Sequence, residues 1–150
     1  MVGLLEMART EGCAAGTQAM SVARPRRILV VDDVRYVREL LRLHLAGAGY
    51  EVELAEDGIQ AAHAMLQNPP DLVVCDVQMP YMSGLEFLAA MRVERSVAAI
   101  PVVILSANAD SRDAAFAAGA TDFLLKPIRS DVLLATLAGH LAGPAQPGAE

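Results

Sequence analysis

The stretch that most constrains this chain is Leu72-Val73-Val74-Cys75-Asp76, an apolar run without alternation that ends in a carboxylate. A half-exposed strand alternates apolar with polar residues, and an amphipathic helix repeats at three- and four-residue spacing. An unbroken run this short, closed before by Pro69-Pro70 and after by Pro80, predicts a parallel strand covered on both faces. Such a strand brings Asp76 to the carboxyl edge of its sheet, where open α/β sheets place their ligands. Taken alone, Asp76 can equally be read as a cap of the following turn.

The same unit recurs along the chain. Ile28 to Val31 forms the first strand and ends in Asp32-Asp33; Val37, Leu40, Leu41, Leu45 and Ala48 then follow at helical spacing until Gly47 and Gly49. Val52 and Leu54 alternate with Glu51 and Glu53, which predicts an edge strand with one charged face. After Asp57-Gly58, the spacing of Ile59, Ala62, Met65 and Leu66 gives a second helix. Beyond Asp76, Ser83 and Glu86 form the S-x-x-E capping signature ahead of Leu85, Leu88 and Met91. Ile100 to Leu105 is a fourth buried strand ending at Ser106, and a short Ala-rich helix from about Asp113 to Ala118 stops at Gly119. Phe123-Leu124-Leu125 is the fifth strand, followed by Lys126-Pro127, and a last helix opens near Ser130 and carries Val132, Leu133, Thr136, Leu137 and Leu141. Strands alternating with helices in this way predict a doubly wound, five-stranded parallel sheet between two helical layers.

Length limits how much more there can be. A chain of 150 residues holds one domain, and with 54% hydrophobic residues but no Trp its core is aliphatic. Residues 1–25 lack either period and read as a disordered leader, with Met20 as an alternative start; 26–141 form the domain and 142–150 a flexible tail. No apolar run is long enough for a bilayer and the first residues do not resemble a secretion signal, so the expectation is a cytoplasmic protein without a membrane partner. Cys13 and Cys75 suggest neither a disulfide framework nor a thiolate metal site. A net charge of −6 argues against direct nucleic-acid binding, and Arg24, Arg26 and Arg27 read as a solvated strand entry. His44, His63 and His140 are expected to be ordinary helix residues, and Met79 and Met82 to pack the loop around Pro80.

In a parallel sheet all strand carboxyl ends share one edge. That edge gathers Asp32, Asp33, Asp76, Ser106 and Lys126. Neighbouring carboxylates repel one another and call for a cation, and an all-oxygen donor set selects a hard ion such as Mg²⁺. Magnesium held by few carboxylates keeps positions open for phosphoryl oxygens, Lys126 adds a charge for the same anion, and Ser106 a hydroxyl donor. These parts suit phosphoryl transfer, in which positioning and charge neutralisation carry most of the catalysis.

The chain here resembles a known family, the receiver domain of bacterial two-component response regulators. The resemblance rests on Asp32-Asp33, on D-x-x-M-P-x-x-x-G as Asp76 to Gly84, on Ser106-Ala107, and on G-A-x-D-F-L-x-K-P as Gly119 to Pro127, and it covers about Arg26 to Leu141. It implies a flavodoxin-like strand order 2-1-3-4-5. It also implies that Asp76 accepts a phosphoryl group from a phosphohistidine of a histidine kinase or phosphotransfer protein. Asp33, Asp76 and the backbone carbonyl of Gln78 are then the Mg²⁺ ligands, Asp32 acts mainly through water, and Lys126-Pro127 is a cis bond. Ser106 and Phe123 are the implied switch residues.

Two departures stand out. The segment between Ser106 and Lys126 is slightly shorter than in most members, and position 123 is Phe where many have Tyr, so a switch there moves a ring but no hydroxyl. A ring turning inward behind Ser106 would change the face formed by the fourth helix, fifth strand and fifth helix, which is the expected docking surface for a downstream protein. Neither flank is long enough to fold as an output domain, so the expectation is a single-domain regulator, with a phosphorelay intermediate or phosphate sink as the alternative. The rivals are weaker. A haloacid dehalogenase-type phosphatase needs a second Asp two residues beyond the nucleophile, where this chain has Gln78, and an FMN binder needs a phosphate loop where Asp32-Asp33 would repel phosphate.

Overall fold

Residues 24–141 are described by a computed structural model; residues 1–23, with Cys13 and Met20, and the tail from 142 lie outside the described residues. The chain runs β1 (Arg27–Val31), α1 (Arg35–Gly47), β2 (Glu51–Ala55), α2 (Gly58–Gln67), β3 (Leu72–Asp76), α3 (Gly84–Val93), β4 (Val102–Ser106), α4 (Ser111–Ala118), β5 (Asp122–Leu125) and α5 (Ser130–Leu141). The five strands form one sheet in the order β2-β1-β3-β4-β5, and every neighbouring pair is parallel. The doubly wound parallel sheet is the one the strand pattern predicts, and its order is the one the family resemblance implies.

The unalternating runs are explained by what covers each face. From β1, β3 and β4, Leu29, Val31, Val73, Cys75, Val102 and Ile104 pack with α2, α3 and α4, whereas Ile28, Val30, Leu72, Val74, Val103 and Leu105 pack with α1 and α5. Every residue of β3 and β4 is buried. With both faces dry, removing one large side chain from either strand costs about 2–5 kcal/mol. β2 lies at the edge, as its charged face predicts, and the Arg27 guanidinium reaches Glu51 at 3.3 Å and Glu53 at 3.0 Å.

Helix ends follow local chemistry. Ser83 and Glu86 make the reciprocal capping box on α3, with N–H···O distances of 2.9 and 3.2 Å. Gly119 ends α4 in the left-handed region, at a φ of 110°. The helix faces are less simple. In α2, Gly58, Ala61 and Met65 are buried, while Ile59, Ala62 and Leu66 from the predicted apolar run face outward. The helix comes so close to the β3–α3 loop that a Cβ at Gly58 would stand 2.9 Å from the Met82 sulfur, and close approach selects the small-residue stripe.

One unpredicted residue ties several segments together. The Arg92 guanidinium donates to the carbonyls of Gly119 (2.9 Å), Ala98 (2.9 Å) and Ile100 (2.6 Å), joining the end of α3 to the end of α4 and to the approach to β4. Burial pulls the pKa of Arg92 below the usual guanidinium value.

Candidate functional site

The carboxyl edge of the sheet brings together the residues that the strand pattern placed there. Asp32 and Asp76 are buried, Asp33 is exposed, and one carboxylate oxygen from each lies within 4.8 Å of the others. Lys126, carried just past β5, places its ammonium 3.0 Å from Asp76 Oδ1 and 3.4 Å from Asp32 Oδ2. Asp32 is fixed from two further directions: its Oδ1 accepts the Val34 N–H at 2.8 Å, and its carbonyl accepts from the Arg38 guanidinium at 2.7 Å.

The electrostatics of the cluster are unbalanced. Burial pushes the Asp76 carboxyl above its usual range, and repulsion from Asp32 and Asp33 adds to this, while Lys126 offsets only part of it. Burial opposes the charge on Lys126 too, but the hydrogen bond to Asp76 and the charges of Asp32 and Asp76 prevail and hold its pKa up. One ammonium thus faces three carboxylates. The donor set is oxygen throughout, so the cluster fits a hard divalent cation. Cys75, although adjacent, is buried and its thiol pKa is raised by burial and by Asp76 and Asp32, which leaves it an inert core residue.

The chain leaves the site through a tight return. Val77 N–H continues the strand pairing to the Leu105 carbonyl at 3.1 Å, and Gly84 N–H turns the chain back onto the Val77 carbonyl at 2.7 Å. A Cβ on Gly84 would collide with the Asp76 carbonyl oxygen, so the return requires glycine here. Gln78, two residues beyond Asp76, stands exposed on the rim. Lys126-Pro127 is cis.

A family model described as the response regulator receiver domain matches residues 28–138. The chain belongs to the response regulator receiver family. Response regulator MprA of Mycobacterium sp. (strain KMS) is 45% identical over 115 residues, a match that covers 75% of this chain and 49% of that protein. MprA of Mycolicibacterium vanbaalenii is 44% identical over the same shares. The receiver therefore spans about half the length of the curated relatives it matches. Among solved structures, the chemotaxis response regulator CheY4 of Vibrio cholerae superposes with a TM-score of 0.74 at 34% identity, covering 78% of this chain and 99% of that one. The receiver domain of a sensor histidine kinase from Pseudomonas aeruginosa, solved with a magnesium ion coordinated in its active-site cleft, has a TM-score of 0.75 at 26% identity and covers 79% and 99%.

The two implied switch residues, Ser106 and Phe123, are both buried. Ser106 is buried at the end of β4, but its hydroxyl is engaged within its own loop: it accepts the Asn108 N–H at 3.0 Å and donates to the Asn108 carbonyl at 3.2 Å. Phe123, expected to turn inward, is already buried, and the Arg112 guanidinium lies 5.8 Å from its ring centre and 5.2 Å from that of Phe116. The ring packs in the core beneath α4. Of the histidines, His140 pairs with Asp122 at 3.0 Å. Arg38, Asn108 and Arg112 were missed because each acts through a backbone group or a ring, which carries no sequence signature; Arg38, in the first turns of the helix after the acidic pair, and Asn108, directly after Ser106-Ala107, had a positional signal.

Proposed function

We propose that the receiver accepts a phosphoryl group on Asp76 from a phosphohistidine of a histidine kinase or phosphotransfer protein. The observation that carries this reading is the Asp76 carboxylate at the end of the buried central strand, 3.0 Å from the Lys126 ammonium and beside Asp32 and Asp33. In the step, an Asp76 carboxylate oxygen forms a bond to phosphorus as the phosphorus–nitrogen bond breaks, and the imidazole leaves with its electron pair. Lys126 holds the acceptor oxygen in place and offers its charge to the incoming anion. Mg²⁺, held by Asp33, Asp76 and the Gln78 carbonyl with Asp32 acting through water, would neutralise the phosphoryl oxygens. Gln78 offers no second carboxylate for rapid hydrolysis, which supports a signalling domain over a phosphatase.

A phosphoryl group adds nearly two negative charges beside Lys126. In this proposal it draws the Ser106 hydroxyl away from Asn108, shifts the β4–α4 loop, and alters the packing of Phe123 under Arg112. The α4–β5–α5 face is then the surface read by a downstream protein. Its exposed Phe116, Leu125 and Val132, and a groove of about 160 Å³ lined by Leu125, Pro127 and Val132, support this surface. The direct test is incubation with acetyl phosphate or phosphoramidate and Mg²⁺, followed by intact-mass spectrometry. The wild type should gain one phosphoryl group, and Asp76→Asn or omission of Mg²⁺ should abolish it. An unchanged phosphorylated fraction in Asp76→Asn would overturn the assignment.

A further inference from the structure

The start of α1 departs from the pattern of the other helices. α3, α4 and α5 carry Glu86, Asp113 and Asp131 in their first turns, and the Asp57 side chain caps α2, so each sets an acid against the positive end of its macrodipole. α1 has no acid in its first turn, and its N-cap, Val34, makes no side-chain bond. Arg35 and Arg38 stand there instead, at the end of the helix where a cation is disfavoured. A cation is unfavourable here for a second reason, because the adjoining acidic cluster is the place for Mg²⁺. A residue that stands against two electrostatic costs points to a use for its geometry.

For Arg38 that geometry is one hydrogen bond. Its Nη1 donates to the Asp32 carbonyl at 2.7 Å, a short, charge-assisted and half-buried contact. This carbonyl belongs to the peptide that joins Asp32 to Asp33. The Asp32 side of that peptide is held independently: its N–H donates to the Ala55 carbonyl at 3.1 Å, and its carboxylate accepts the Val34 N–H and meets Lys126. The torsion these bonds hold least directly is rotation about the Asp32 Cα–C bond, which swings the planar peptide and the Asp33 Cα with it. A turn of roughly 20° about that bond displaces the Asp33 Cα by about half an ångström. Magnesium demands near-ideal octahedral geometry with ligands at about 2.0–2.1 Å, so a displacement of that size is felt. Asp33 is exposed, and no burial fixes it.

We propose, resting on the reading of Asp76 as phosphoacceptor, that Arg38 is a positioning residue of the cation site: by pinning the Asp32–Asp33 peptide it keeps the exposed Asp33 carboxylate in place beside Asp76 for Mg²⁺. Charge and position predict opposite results when Arg38 is removed. By charge alone, taking a cation away from the acidic cluster tightens Mg²⁺ binding. Freeing the peptide weakens it.

The test is isothermal titration of the full chain with Mg²⁺. Arg38→Met should bind the ion at least fivefold more weakly than the wild type. Two controls carry the same charge change on the same helix: Arg35→Met, at its exposed start, and Arg42→Met, whose guanidinium pairs with Glu39. Both should stay within twofold of the wild type or bind Mg²⁺ more tightly. In metal-free buffer the carbonyl ¹³C resonance of Asp32 should move in Arg38→Met and stay in place in both controls. Phosphorylation by acetyl phosphate in Arg38→Met should need at least fivefold more Mg²⁺ for half its maximal rate, and that maximal rate should lie within twofold of the wild type. Unchanged Mg²⁺ affinity in Arg38→Met, with or without a lower melting temperature, would overturn the positioning role. So would an equal loss in Arg35→Met, or a maximal rate that stays lowered at saturating Mg²⁺. A wild type that neither binds Mg²⁺ nor gains a phosphoryl group from acetyl phosphate would instead overturn the reading of Asp76, and the role of Arg38 with it.

Discussion

The ends of β3 and β4 are neighbours in one sheet and are buried alike, yet they leave the strand in opposite ways. β3 ends in Asp76, whose side chain enters the cleft towards Lys126, and the chain returns under tight constraint through Gly84. β4 ends in Ser106, whose hydroxyl is satisfied by Asn108 two residues away. Strand position decides which residues come close. The local polar partners decide where each side chain points, and a side chain held by one short loop is easier to redirect than one held by a buried ion pair.

The largest effect should come from disturbing the constrained end. In Gly84→Ala the new Cβ would also stand 2.9 Å from the Asp76 carbonyl carbon and 3.1 Å from the Val77 Cα, all of it backbone. The expected cost is about 3 kcal/mol, or roughly 10 °C in melting temperature. A shift below about 3 °C by calorimetry would mean that the β3 loop yields as readily as the β4 loop. Next is Asp33→Ala, which removes the exposed carboxylate of the cluster and should weaken Mg²⁺ binding by at least tenfold, or about 1.4 kcal/mol, in isothermal titration.

Asp76→Asn should act in the other direction on stability. Because the folded protein raises the Asp76 pKa, its protonated form favours folding, and that contribution is lost as pH rises through the folded pKa. In metal-free buffer at pH 7 the Asn variant should therefore melt above the wild type. The gap should close on acidification through the carboxylate range and on saturation of the wild type with Mg²⁺; a variant that melts lower at pH 7 would show that Lys126 already balances the site. The smallest effect belongs to Ser106→Ala, which loses only the Asn108 hydrogen bonds. It should cost about 1 kcal/mol or less and leave phosphorylation by acetyl phosphate detectable by mass spectrometry. A larger loss would place Ser106 in the same rigid class as Asp76.

What could be read in the sequence followed the same division. Unbroken apolar runs marked the inner strands and alternation marked β2, and strand ends located Asp32, Asp33, Asp76, Ser106 and Lys126, because parallel geometry leaves those positions little freedom. The burial of α2 was not legible: the stripes Gly58, Ala61, Met65 and Ile59, Ala62, Leu66 have the same helical spacing and differ by one residue. Close approach to Met82 selects the former, and no local pattern encodes that approach. Arg92 escaped notice for a related reason, since its partners are carbonyls 6 to 27 residues away and carbonyls carry no sequence signature. Phe123 was placed on the correct strand, but only the packing of α4 shows that its ring is already inside.

The two outer strands bear on how the protein tolerates crowding. An open sheet exposes unpaired N–H and C=O groups along both margins, and each margin can recruit a foreign strand. On β2, Glu51 and Glu53 set carboxylates along the margin beside Arg27. At the other margin, β5 is only four residues long and meets Pro127 two residues later. Charge guards one side and brevity the other, so aggregation through strand addition is opposed at both margins while the helical surfaces remain free to bind.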